Sequence, residues 1–192
     1  MLKLYGGARS QAAIIRWYLE ELGIPYQFIL IDLQAGKQQQ PDFLAINPFG
    51  KVPTIVDDDF KLWESGAILL YLAEKYDAIA ATPEQRAKLA QWVLFTTTTF
   101  KRVVYQSAEQ KPQKSRLISA LNQYLEHHSF LLGDQFSAAD VAMGAQLAYI
   151  LFRLNIDFRQ EKAYAAIAAY FRCLSQRPPF QHTFGARMPT CK

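Results

Sequence analysis

Over the first 76 residues, short apolar runs alternate with stretches whose apolar positions recur at helical spacing. Leu2 to Tyr5 reads as a strand, Gly6 and Gly7 as a turn, and about Ser10 to Leu22 as a helix. Gly23 and Pro25 end that helix, the first as a C-terminal stop and the second because its ring cannot continue it. Tyr26 to Ile31 is a near-continuous β-favouring run, the pattern of a strand covered on both faces. Strand, helix and strand in succession form a βαβ unit, so the two strands are expected to run parallel. A polar stretch with Gln38, Gln39 and Gln40 leads to a short helical segment around Phe43, and Asn47-Pro48-Phe49-Gly50 reads as a turn. Pro53 to Val56 and Phe60 to Trp63, flanking Asp57, Asp58 and Asp59, predict a β-hairpin that feeds a helix from Ser65 to Tyr76. The predicted order is βαβαββα, a mixed sheet with helices on its faces.

After Asp77 the pattern changes. Small residues and Thr82-Pro83 place a linker at 77–83, between a domain at 1–76 and another at 84–192. Beyond it the chain reads as helix: Glu84 to about Ser107, Pro112 to Leu132, Ala138 to Arg153 and Lys162 to Gln176. Ser137 and Asp140 have capping-box spacing, with Phe136 and Val141 placed as the hydrophobic staple. Thr96 to Thr99 is anomalous, because β-branched threonine is a mediocre helix former. The flanking Trp92, Leu94, Phe95 and Phe100 are expected to hold it helical by packing.

Composition narrows the classes. With 192 residues, half of them hydrophobic, the chain can bury a real core in one large or two small domains. The net charge of +4 is modest and its Lys and Arg residues are scattered, which argues against nucleic acid and suits a small anionic ligand. Cys173 and Cys191 form no CxxC pair, so neither a disulfide framework nor a dithiol centre is indicated. No apolar stretch reaches membrane-spanning length and no signal-like segment precedes the first strand, so a soluble cytoplasmic protein is expected. The adjacent His127 and His128 point in different directions on one helix, and no metal site is expected.

The stretch Phe43-Leu-Ala-Ile-Asn-Pro-Phe-Gly-Lys-Val-Pro-Thr-Ile-Val, followed by Leu62-Trp-Glu-Ser-Gly-Ala-Ile, resembles the soluble glutathione transferases. Phe136-Ser137-Ala138-Ala139-Asp140 and Arg177-Pro178-Pro179-Phe180 extend the resemblance over essentially the whole chain. It implies a thioredoxin-like α/β glutathione-binding domain followed by an all-α domain. Ala8-Arg9-Ser10 and the short length resemble bacterial classes, the cyanobacterial chi class among them. The implied activity is transfer of the glutathione thiolate to small apolar electrophiles such as aryl halides and isothiocyanates, with hydroperoxide reduction as a side activity. Glutathione is then a co-substrate rather than a cofactor, and a homodimer is implied. Non-catalytic relatives keep most of these motifs, so an interaction module is the alternative.

The resemblance also assigns residues. Pro53 becomes a cis-proline that presents the Val52 backbone to the cysteinyl backbone of glutathione, like an added rung of sheet. Ser65 binds the γ-glutamyl carboxylate and Glu64 its ammonium, although a Glu-Ser pair is also a common helix start. Lys51 and Gln38 reach the glycyl carboxylate, unless they are simply solvated. The thiol activator is ranked Ser10 first, Arg9 second and Tyr5 third. Ser10 offers a hydroxyl at a helix N-terminus and is otherwise a cap; Arg9 offers a guanidinium; Tyr5 sits at a strand end, where tyrosine is more often core. No Cys stands at this turn, which argues against glutaredoxin-like chemistry. Phe100 and Tyr105 are candidate walls for the electrophile, or else core. Phe49, an apolar side chain in a turn, is a candidate to insert into a partner subunit or to cover its own sheet.

Overall fold

The computed structural model describes residues 1–77, 81–105 and 111–188, with backbone alone over 111–114. The chain divides into two units, Met1–Ala78 and Ile79–Lys192. Part of the expected linker at 77–83, together with Ser107 and Cys191, lies outside the described residues.

The first unit runs β1 (Leu2–Gly6), α1 (Ala12–Glu21), β2 (Tyr26–Leu30), α2 (Pro41–Leu44), β3 (Thr54–Asp57), β4 (Phe60–Trp63) and α3 (Ser65–Tyr76). The sheet order is β2-β1-β3-β4; β1 and β2 are parallel, from Leu2 opposite Tyr26 to Gly6 opposite Leu30, and the other pairs are antiparallel. This is the expected βαβαββα. One expectation is corrected: β2 is not covered on both faces but forms the edge of the sheet, half-buried, with Leu30 exposed. Its apolar run is dense, yet only β1 pairs with it.

Helix α1 buries Ala12, Ile14, Ile15, Trp17, Tyr18 and Leu19, and packs on α3 and β1. It ends in a Schellman motif: Ile24 N–H donates to Leu19 C=O at 2.9 Å and Gly23 N–H to Glu20 C=O at 3.2 Å. Gly23 takes φ +65°, which a side chain at that position would disfavour. At the other end, a Cβ on Gly6 would lie 2.2 Å from that of Ala12, so only glycine lets β1 run this close to α1. The hairpin acid Asp57 turns inward and accepts from Tyr71 Oη at 2.8 Å and from Lys75 Nζ. Burial works to raise its pKa, but these two donors outweigh it and hold the carboxyl below its usual range.

The second unit is helical among its described residues. α4 (Pro83–Leu94) starts with a capping box from Thr82 and Gln85. The threonine run is then a π-helical stretch, Phe95–Phe100, which continues into α5 (Lys101–Tyr105). Thr97 and Thr98 donate their hydroxyls to the carbonyls of Val93 and Leu94, at 2.8 and 2.7 Å. Such side-chain bonds compete with the main-chain ladder, so the run stays helical but widened.

α6 (Lys111–Leu125) stops seven residues before the expected Leu132. Leu131 N–H is taken by Asp140 Oδ1 at 2.8 Å and its C=O by Tyr124 Oη at 3.0 Å, so the chain leaves the helix for a turn closed between Phe130 and Gly133. α7 (Ala138–Leu154) opens on the expected capping box and buries every residue from 138 to 151. α8 (Ala165–Ser175) follows two 3₁₀ turns, Phe158–Gln160 and Lys162–Tyr164, and α9 (Pro178–Phe184), unforeseen in the sequence, begins with Pro178 at its first position.

Candidate functional site

The strand register brings Tyr5, Pro53 and Glu64 to one end of the sheet. Thr54 lies opposite Tyr5 on one side and Trp63 on the other. Pro53 is therefore flanked by the last residue of β1, Gly6, and by Glu64 at the start of α3. The Val52–Pro53 bond is cis. Among the described residues no hydrogen bond engages the Val52 N–H or C=O, so both can accept an outside partner.

A buried asparagine holds this corner in shape. Asn47, fully withdrawn from solvent, donates Nδ2 to Lys51 C=O at 2.8 Å and to Thr54 Oγ1 at 3.1 Å, while its Oδ1 accepts Phe49 N–H at 3.0 Å. The Asn47–Gly50 turn is closed by Gly50 N–H on Asn47 C=O at 3.0 Å. Lys51 is exposed beside it. Gln39 Nε2 reaches Gly50 C=O at 3.4 Å, which ties the Lys37–Gln39 turn to the Lys51 strand end. Gln38 points elsewhere: its amide nitrogen lies 3.5 Å from Leu33 C=O, and its buried Oε1 has no hydrogen-bond partner among the described residues.

Two helix N-termini meet beside Pro53. Ser65 is buried and donates Oγ to Gln11 Oε1 at 3.3 Å, which bridges the first turns of α3 and α1. Both helix N-termini carry the positive end of a dipole; in α1 the first N–H groups are already taken, by Ser10 Oγ and by the Ser10 and Gln11 carbonyls, which leaves the α3 start as the place for an anion. Glu64 precedes Ser65 with φ 71° and ψ 118° and makes no capping bond through its side chain. A non-glycine residue held there stores about 1–3 kcal/mol, a cost that clusters at ligand-contacting positions.

Ser10 lies in the turn before α1 with its hydroxyl engaged. Oγ donates to Gly7 C=O at 3.0 Å and accepts Gly7 N–H at 3.0 Å and Ala12 N–H at 3.2 Å. Arg9 is exposed and lines a cavity of about 630 Å³, facing residues 30–34 together with Ala8. Tyr5 sets its ring edge-on against buried Phe43 at 5.9 Å, as a packing residue would. In the second unit Phe100 is 0 % exposed, its ring tilted against that of Phe95 with centres 6.1 Å apart, which is a core position. Tyr105 is half-buried, and burial pushes its hydroxyl above the usual tyrosine pKa. Among the described residues no group of His, Cys, Asp and Glu is placed to hold a metal ion.

Residues 1–74 match the family described as "Glutathione S-transferase, N-terminal domain" and residues 84–178 the one described as "Glutathione S-transferase, C-terminal domain". The chain is 30% identical to glutathione S-transferase F9 of Arabidopsis thaliana, over 95% of this chain and 96% of that one. The chain belongs to the glutathione transferase family. The transferase is also 33% identical to the disulfide-bond oxidoreductase YfcG of Escherichia coli, over 74% of this chain and 77% of that protein. Among solved structures, the theta-class glutathione S-transferase of Xanthomonas axonopodis pv. citri with glutathione bound superposes with a TM-score of 0.80 at 26% identity, over 100% and 99% of the two chains. The transferase thus has a thioredoxin-like domain with a four-stranded mixed sheet and a helical C-terminal domain, and no helix among its described residues is long and apolar enough to cross a membrane.

Reading the sequence missed two residues that shape this end of the transferase. Asn47 looked like one of four turn residues; the signal was Asn-Pro before a buried strand, where an Asx side chain can order the following backbone. Gln11 carried no signal, because its bond to Ser65 spans 54 positions.

Proposed function

We propose that this transferase binds glutathione at the end of its sheet and conjugates the thiolate to small apolar electrophiles such as aryl halides and isothiocyanates, with hydroperoxide reduction as a side activity. The observation that carries the reading is the junction of the α1 and α3 N-termini through Ser65 and Gln11, beside the cis Val52–Pro53 bond. An extended peptide backbone pairs with the Val52 N–H and C=O, and the γ-glutamyl carboxylate lies on the α3 N-terminus by Ser65 with Glu64 near the ammonium. Lys51 takes the glycyl carboxylate, with Gln38 as the weaker partner.

Lowering an ordinary thiol from about 8.5 by two pKa units requires roughly 2.7 kcal/mol of preference for the thiolate. Ser10 stays the first candidate to supply it, followed by Arg9 and Tyr5. Its hydroxyl must first leave Gly7 C=O, but a bond to an anion is worth about 1.5–3 kcal/mol against 0.5–1.5 for a neutral one. Arg9 needs no such exchange, and its place on the cavity by residues 30–34 supports it as the charged competitor. Tyr105 is retained as an electrophile wall; the burial of Phe100 favours its core role.

The chain is read as a bacterial type, of chi class, and as a cytoplasmic homodimer; Phe49, 65% exposed at the tip of its turn, supports the dimer. The rival is a non-catalytic interaction module. Retention on immobilised glutathione is measured together with turnover of a chlorinated dinitrobenzene and of an isothiocyanate, for the parent, Ser10→Ala and Arg9→Ala. Retention with turnover is expected, with loss of rate in the variant that removes the activator. Retention without turnover would establish the module instead, and absence of retention would overturn both readings.

A further inference from the structure

The cavity of about 630 Å³ beside the α1 turn is walled by two segments that the sheet brings together, the turn at Ala8 and Arg9 and the chain leaving β2 at residues 30–34. β1 and β2 run parallel up to Gly6 opposite Leu30, and Ile31 N–H continues the ladder onto Gly6 C=O at 2.9 Å. Leu33 then folds over the turn: a Cβ on Gly7 would lie 2.5 Å from Leu33 Cδ1. Gly7 also supplies the C=O that accepts the Ser10 hydroxyl at 3.0 Å, so the cavity wall and the first candidate for thiol activation meet at one residue. A sulfur delivered to Ser10 stands at the edge of this cavity.

The wall is apolar with a single free cation. Leu30 is 62 % exposed and Leu33 37 %, and both line the cavity. Arg9 is exposed and forms no ion pair among the described residues. Asp32, the acid on the same wall, is committed to its own turn, where Oδ1 accepts Gln34 N–H and Ala35 N–H at 3.0 Å each. The guanidinium of Arg9 thus has its planar fork available for a carboxylate or sulfonate. The volume suits a small molecule rather than a lone ion.

We propose, resting on the conjugation reading with Ser10 as activator, that this cavity receives the electrophile and that Arg9 selects electrophiles whose apolar body carries one acidic group away from the reacting carbon. Arg9 then holds the second substrate rather than ionising the first. With a carboxylated aryl halide, the thiolate sulfur adds to the ring carbon that bears chlorine. The C–S bond forms, the C–Cl bond breaks and chloride leaves with the bonding pair, the thiol proton having passed to solvent. The carboxylate stays on Arg9 throughout, with the ring against Leu30 and Leu33.

The test pairs 4-chloro-3-nitrobenzoate with 4-chloro-3-nitrobenzamide on the full chain, each kcat/KM divided by the uncatalysed rate constant with glutathione at the same pH and salt. The corrected acid-to-amide ratio is expected at about fivefold, the upper worth of one exposed charge pair, and should shrink in about 1 M salt. The ratio does not depend on how much of a variant is folded. Arg9→Gln should bring it to about one, and Arg9→Lys, which keeps the charge without the fork, should retain part of it. Leu30→Thr, at an exposed edge-strand position, should raise KM for acid and amide alike and leave the ratio standing. An Arg9 that activates the thiol would lower both rates by one factor, so an unchanged ratio in Arg9→Gln would overturn the proposal. A rise in KM for glutathione in that variant, with the ratio unchanged, would overturn it too, by placing Arg9 on the tripeptide. A parental ratio near one with both compounds turned over would sink the selection by Arg9 and leave conjugation standing. If the parent turns over neither compound nor a chlorinated dinitrobenzene, conjugation falls and the selection with it.

Discussion

Replacing Asn47 should damage stability and glutathione binding together. Its side chain makes three buried bonds, to Lys51 C=O, Thr54 Oγ1 and Phe49 N–H. At about 1 kcal/mol each, their loss in Asn47→Ala comes to roughly 3 kcal/mol, with a small cavity added. Part is recoverable, because Thr54 Oγ1 still donates to Lys51 C=O at 2.9 Å and water can reach Phe49 at the exposed tip. An expected range of about 2–3 kcal/mol follows. Asn47→Asp separates the parts: it keeps the acceptor for Phe49 N–H but sets a carboxylate oxygen against Lys51 C=O. Two acceptors then face each other in a dry site, so its carboxyl pKa rises and the variant regains stability as pH falls and the group protonates into a donor. Urea unfolding at pH 7 and pH 5, with glutathione titrations at 10 °C where the variants remain folded, measures both effects. Because Lys51 and Val52 lie directly on the clamped segment, glutathione affinity should fall about tenfold. An Asn47→Ala protein that unfolds at the parental urea concentration and binds glutathione like the parent would refute the clamp.

Ser10→Ala removes the acceptor for Ala12 N–H at the start of α1 and for Gly7 N–H in the turn before it and should cost about 1–2 kcal/mol, whereas Arg9→Ala, at an exposed position, should change stability by less than about 0.5 kcal/mol. Thermal unfolding of the two variants checks this, and activator assays need temperatures at which both are folded. Glu64→Gly releases the strained backbone at φ 71° and should leave the unfolding midpoint unchanged or raised while glutathione affinity drops, measured by unfolding and calorimetry on one preparation. Asp57 carries a depressed pKa in the fold, so its contribution to stability is present above the unfolded value near 3.8 and is lost as pH falls through the lower folded value. Asp57→Asn should therefore destabilise the protein at pH 7 and flatten the acid limb of a stability-versus-pH curve.

Local rules made most of the elements readable. Gly23 and Pro25 stop α1, Ser137 and Asp140 start α7, and the two β-runs around Asp58 close as a hairpin with Asp58 at φ 53°. Each signal lies within a few residues of the feature it sets. The misreadings come from long-range partners. The apolar run of β2 does not reveal whether a further strand joins its outer side, and α6 ends early because Asp140 and Tyr124 take the Leu131 backbone. α9 was legible in principle, since Pro178 at a first helical position followed by Phe180 and Phe184 four apart marks a short amphipathic helix of about two turns.

The site is a different kind of problem, because the same side chain serves structure and ligand in turn. Ser10 and Ser65 both sit at helix starts, and both spend their hydroxyl proton inside the protein, on Gly7 C=O and on Gln11 Oε1. A thiolate or carboxylate arriving there does not fill an empty donor; it displaces a neutral acceptor. The driving force is the difference between a charge-assisted bond and a neutral one, about 1 kcal/mol per exchange, to which the converging helix N-termini add their share. The unliganded corner is thus satisfied without being committed, so Ser10 reads as a cap and as an activator with equal sense. The backbone of Val52 is the exception, since no hydrogen bond among the described residues occupies it. That open rung, rather than any hydroxyl, is where an extended peptide should register first, and a peptide blocked at its cysteinyl N–H should lose affinity even when both carboxylates are intact.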